Sequence, residues 1–82
     1  MSAENLDLAA TARRIADSAP AGSLEQAAAG SVAVTCATTR NVAEARSVLT
    51  GVTPEEVRRA ALELLDRLEA GEAEAGETDA AG

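Results

Sequence analysis

Apolar positions in this chain recur mostly at helical spacing. Between Leu6 and Ala19, the residues Leu8, Ala12, Ile15, Ala16 and Ala19 share one face with Arg13, Arg14 and Asp17 opposite. That pattern predicts an amphipathic helix stopped by Pro20 and Gly22. Ser23-Leu24-Glu25-Gln26 reads as a capping box that opens a short helix, Leu24 to Ala29, with Gly30 at its C′ position. Asn41 is a strong N-cap with Glu44 three residues on, so a third helix follows, its apolar side formed by Val42, Ala45, Val48 and Leu49 and its end at Gly51. Thr53-Pro54-Glu55-Glu56 begins a fourth, with Thr53 as cap, Pro54 in the first helical position and two acids at the positive end of the dipole. Its core stripe is Val57, Ala61, Leu64, Leu65 and Leu68, and Gly71 closes it. On the other face Glu55, Arg59, Glu63 and Arg67 stand four apart in alternating sign, which predicts a ladder of ion pairs.

One stretch reads differently. Ser31-Val32-Ala33-Val34-Thr35-Cys36-Ala37 is short, β-branched and bounded by Gly30 and the polar Thr38-Thr39-Arg40-Asn41. Alternation puts Val32, Val34 and Cys36 on one face and Ala33, Thr35 and Ala37 on the other, as in a strand covered on both sides. The expected fold is therefore mainly α with one β-strand, in the order α-α-β-α-α. A lone strand leaves its backbone donors and acceptors unpaired. Three resolutions stand side by side: pairing with its own copy in a homodimer, addition to a larger partner's sheet, or loop in place of strand.

Composition sharpens the need for a partner. Of 82 residues only 15 are Val, Leu or Ile, none is aromatic, and 21 are Ala. With a formal charge of −7, so thin a stock of bulky side chains makes an independent core marginal. The charge is uneven: residues 68–82 hold five acids and no base, leaving residues 1–67 with seven Arg against nine acids. This divides the chain into a small helical domain, residues 1–70, and a disordered acidic tail, residues 71–82.

The same composition excludes much chemistry. Without His there is no Ser–His or Cys–His pair, and a lone Cys36 cannot found a zinc site or a disulfide. No catalytic residue, metal or cofactor is expected. Acidity and the lack of aromatic residues argue against nucleic acid, and no helix-turn-helix or ribbon signal offsets them. No apolar run is long enough for a membrane span, no basic leader is visible, and the unpaired cysteine suits a reducing cytoplasm.

A few residues invite chemical readings beside plainer ones. Cys36, four residues before Arg40, is either an activated thiol at a helix start or a small buried hydrophobe. Arg13-Arg14 and Arg58-Arg59 are either an anion patch or solvated faces. Thr38-Thr39-Arg40-Asn41, ahead of a helix, has the amides, hydroxyls and guanidinium that a phosphate would need.

From Asp17 to Asp66 the order of motifs resembles the C-terminal nucleotide-binding segment of UDP-N-acetylglucosamine 2-epimerases. The likeness runs through Asp17-Ser18, Gly22-Ser23-Leu24-Glu25-Gln26-Ala27-Ala28, the strand, Thr38-Thr39-Arg40, Thr53-Pro54-Glu55-Glu56-Val57 and Ala61-Leu62-Glu63-Leu64-Leu65-Asp66. It departs where Ser23 replaces the second glycine of the family's turn, where Gln26 or Ala27 stands for the ribose-binding Glu, and where no proline follows Arg40. The resemblance implies a degenerate remnant or partner of a nucleotide-sugar-binding fold, with Gly22, Ser23, Thr39 and Arg40 lining a phosphate site and no epimerase activity. The residues read on their own point instead to a small, acidic, non-enzymatic interaction or accessory protein. It would be ordered by self-association or by a protein partner through the strand Ser31 to Ala37.

Overall fold

Four helices make up the described residues, 3–71, of the computed structural model: α1 (Ala3–Ser18), α2 (Leu24–Thr38), α3 (Val42–Leu49) and α4 (Glu55–Glu69). The acidic tail read over residues 71–82 lies, beyond Gly71, outside the described residues.

The start signals act largely as the residues foretell. Ser23 is the N-cap of α2, its hydroxyl oxygen accepting from the Gln26 amide at 3.1 Å. The Gln26 carbonyl reaches back to the Gly22 N–H at 2.8 Å. Gly22 sits at φ +79°, a left-handed conformation that a side chain would strain. Asn41 caps α3 through the Glu44 amide at 2.8 Å, and Glu44 in turn accepts from the Arg40 N–H at 2.7 Å. At α4 the cap moves by one residue. Pro54, in extended backbone, is itself the N-cap, its carbonyl accepting from both Val57 and Arg58, and Thr53 makes no side-chain cap bond. Gly71, at φ +78°, closes α4 as its C′ residue.

The strand is the main correction. Residues 31–37 form the second half of α2, which runs unbroken through Gly30, and no strand exists among the described residues. Burial shows why. Ala28, Ala29, Val32, Ala33 and Cys36 are all buried, a stripe at i, i+1, i+4, i+5 and i+8. The supposed strand face is split: Val32 and Cys36 are fully buried while Val34, between them, is 63% exposed. A short run that is apolar on every side carries no usable period of its own, and contact with three neighbouring helices outweighs the β-preference of two valines and a threonine. The architecture is accordingly all-helical, not α-α-β-α-α. With its backbone groups taken up by the helix ladder, Ser31 to Ala37 offers no edge for a homodimer or a partner's sheet.

Helix α2 is the spine of the fold. It packs most extensively on α1, then on α4, then on α3, while α1 and α4 hardly meet. Half of the buried apolar core is alanine: Ala9, Ala12, Ala28, Ala29, Ala33, Ala45 and Ala61. Small side chains on facing helices allow close approach, so packing replaces bulk. Leu8, Val32, Leu49, Leu64, Leu65 and Leu68 supply the remaining volume with Cys36. Among the described residues, the polar side chain of Asn5 is fully enclosed. Asn5 of α1 donates from Nδ2 to the Thr39 carbonyl and the Thr39 hydroxyl, each at 3.1 Å, and lies 3.4 Å from the Cys36 carbonyl.

Candidate interaction surface

Because α1 and α4 both lean on α2 without closing on each other, a groove runs between them. Its larger end, about 500 Å³, has α2 as floor near that helix's N-terminus. Ile15, Leu24, Ala28, Ala60 and Leu64 give it an apolar lining. Leu24 is 47% exposed, so a large aliphatic group stands open to water in a chain that has few of them. A smaller hollow of about 210 Å³ lies at the opposite end of the α1–α4 seam, between Glu4, Asp7, Leu68 and Gly71.

The rim of the larger groove is charged. Glu25 stands on α2, and Glu63 and Arg67 on α4. The ladder expected along α4 forms only at its first rungs. Glu55 pairs with Arg59 at 3.5 Å and with Arg58 at 3.6 Å, whereas Glu63 and Arg67 make no ion pair with any described residue. Both turn to the groove. The cation that does organise packing is Arg46 of α3, which the helical spacing did not single out. It bonds Asp66 at 2.7 Å and also Glu69, tying α3 to the last turns of α4. The Asp66 bond, followed by that to Glu69, holds its guanidinium charged beyond its ordinary range.

The residues read from sequence as a phosphate site are not brought together. Gly22 and Ser23 lie before the first turn of α2, and Thr39 and Arg40 beyond its last, so a helix of fifteen residues, roughly 22 Å long, separates the pairs. Their local donors are already engaged. Ser23 Oγ accepts from the Gln26 N–H, the Gln26 side-chain carbonyl accepts from the Gly22 N–H, the Ser23 N–H donates to the Pro20 carbonyl, and Glu44 accepts from the Arg40 N–H. Thr39 is buried, donates its hydroxyl to the Thr35 carbonyl at 2.7 Å and accepts from Asn5. Cys36 stands within α2, two residues before its end, and is fully buried. Burial pushes its thiol above the ordinary value, and the Glu69 carboxylate pushes the same way, so the protonated form is favoured.

Among the described residues no three His, Cys, Asp or Glu side chains gather as metal ligands, and no helix is long and apolar enough to cross a membrane. Searches against protein-family models, curated proteins and solved structures return no match for this chain.

Proposed function

We propose that this chain is a small, acidic, non-enzymatic interaction protein of the cytoplasm, and that it engages a protein partner through the groove between α1, α2 and α4. The observation that carries the reading is the groove's make-up: an apolar lining that includes a half-exposed leucine, bordered by Glu25, Glu63 and Arg67 without ion pairs to described residues. Apolar centres ringed by polar groups are how protein surfaces receive helices and loops of other chains. The rest of the molecule supports an accessory role over catalysis. The chain has no histidine, its lone thiol is enclosed, and the caps near Thr39 and Arg40 are engaged with their own helices.

Site-specific photo-crosslinking tests this directly. A crosslinking residue at position 24, in the groove, should give a discrete protein adduct in cells of the source organism. The same residue at position 34, which is exposed but outside the groove lining, should give none. Equal adducts from both positions, or none from either, would remove the reading.

A further inference from the structure

We infer that the occupant of the groove is a second copy of this chain, in a two-fold dimer that sets α4 antiparallel to itself. This rests on the groove being an interaction surface and adds the identity of the partner. The argument is charge complementarity. Glu63 and Arg67 project one helical turn apart on the same face of α4, opposite in sign and without a partner among the described residues. A two-fold axis passing between them, beside residue 65, exchanges their positions. Glu63 of one copy then faces Arg67 of the other, and the reciprocal pair forms by symmetry.

The rim carries two carboxylates, Glu25 on α2 and Glu63 on α4, and its single guanidinium is Arg67. A second copy brings the same three charges, so the reciprocal Glu63–Arg67 pairs carry the complementarity. Beside the charges, the half-buried Ala60 is small enough for close helix approach, and the half-exposed Leu24 supplies the apolar contact above a floor of buried Ala28 and Leu64. A rim of one sign would repel its own copy. Alternating signs four residues apart, with neither charge neutralised along its own helix, suit an antiparallel copy of that helix.

Sedimentation equilibrium on the full chain, from micromolar to millimolar and at low salt, reads this out. The wild type forms a dimer within that range. Arg67→Glu sets carboxylate against carboxylate at both pairs and raises the dissociation constant by about tenfold or more. The double exchange Glu63→Arg with Arg67→Glu brings it back to within a few-fold of wild type. Both positions line the open rim, and far-ultraviolet circular dichroism verifies that each variant keeps its helix content. A wild type that stays monomeric overturns the assignment, and so does a dimer indifferent to Arg67→Glu. If the chain is monomeric yet position 24 crosslinks a different protein, the second-copy assignment fails while the groove remains an interaction surface. If position 24 yields no adduct at all, both fail.

Discussion

Asn5 and Thr39, thirty-four residues apart, fasten the first turn of α1 to the last turn of α2. The Asn5 Nδ2 lies 3.1 Å from both the carbonyl oxygen and the hydroxyl of Thr39. That hydroxyl in turn donates a hydrogen bond to the Thr35 carbonyl at 2.7 Å. The final carbonyls of a helix have no partners within it, and here a side chain from the neighbouring helix meets two of them. Asn5 is completely enclosed, so the bonds form away from competing water.

Removing either partner should therefore cost more than a surface bond. Asn5→Ala is expected to destabilise by about 2 kcal/mol, because the Thr39 and Cys36 carbonyls lose a buried donor. Thr39→Val is expected to cost about 1–2 kcal/mol. Their effects should not add: a double-mutant cycle by urea denaturation should return a coupling of about 1 kcal/mol. Additive losses would mean that the two side chains act separately.

Glycine substitutions separate the continuous helix from the broken one. Gly30 is interior to α2, at ordinary helical φ, and a Cβ there meets nothing within 4 Å. Gly30→Ala should stabilise by about 0.5–1 kcal/mol. Gly22, at φ +79°, should respond in the opposite sense, Gly22→Ala costing about 1 kcal/mol. Thermal melting of both variants decides it. A destabilising Gly30→Ala would restore the helix end that the sequence pattern suggests.

The Arg46 clamp is partly exposed, its side chain 39% accessible, so solvent screening limits its worth. Arg46→Gln should lower stability by about 0.5–1 kcal/mol at low ionic strength, and the difference from wild type should shrink in molar salt. Chemical denaturation at two salt concentrations checks both statements.

Cys36 gives a pH dependence with a definite sign. The folded thiol titrates above its ordinary value because it is buried, with Glu69 adding to the effect. As pH rises past the unfolded thiol's pKa of about 8.5, the unfolded chain releases a proton that the folded chain keeps. Stability should therefore be fully present below that pH and fall above it, until the folded thiol ionises too. Cys36→Ala should flatten this alkaline decline while costing stability at neutral pH through the small void it leaves. An identical alkaline slope in the variant would show that the thiol is not the titrating group. In the same setting, thiol reagents should modify wild-type Cys36 only at the rate of unfolding.

A nucleotide-sugar titration addresses the phosphate reading. With Gly22 and Ser23 at one end of α2 and Thr39 and Arg40 at the other, a uridine diphosphate sugar at sub-millimolar concentration should leave the amides of residues 22–26 and 38–42 in place. Shifts in both groups would revive a phosphate site there.

Much of this fold is legible in the residues themselves. Ser23 with Gln26, Asn41 with Glu44, and the terminal Gly71 act as local rules require, because capping depends on atoms only a few positions apart. Residues 31–37 were not legible. Their alternation and their helical stripe are both present, and only burial against α1, α3 and α4 selects the second. Asn5 could have been noticed, since it falls on the same helical face as Leu8, Ala12 and Ile15, where a polar residue demands a partner. The groove could not, because it depends on α1 and α4 failing to close over α2, a relation between elements remote in sequence. The ion-pair ladder of α4 shows the same limit: four residues at ideal spacing, of which Glu63 and Arg67 turn to the groove rim.

The groove, the Asn5 bonds and the enclosure of Cys36 all require α2 to be one helix from Leu24 to Thr38. Backbone chemical shifts of residues 28–38 in the full chain measure this most directly. Positive Cα deviations running without a break through Gly30, with slow amide exchange at Val32, Ala33 and Cys36, are the predicted result. Negative deviations over residues 31–37, with exchange protection alternating from one residue to the next, would contradict it.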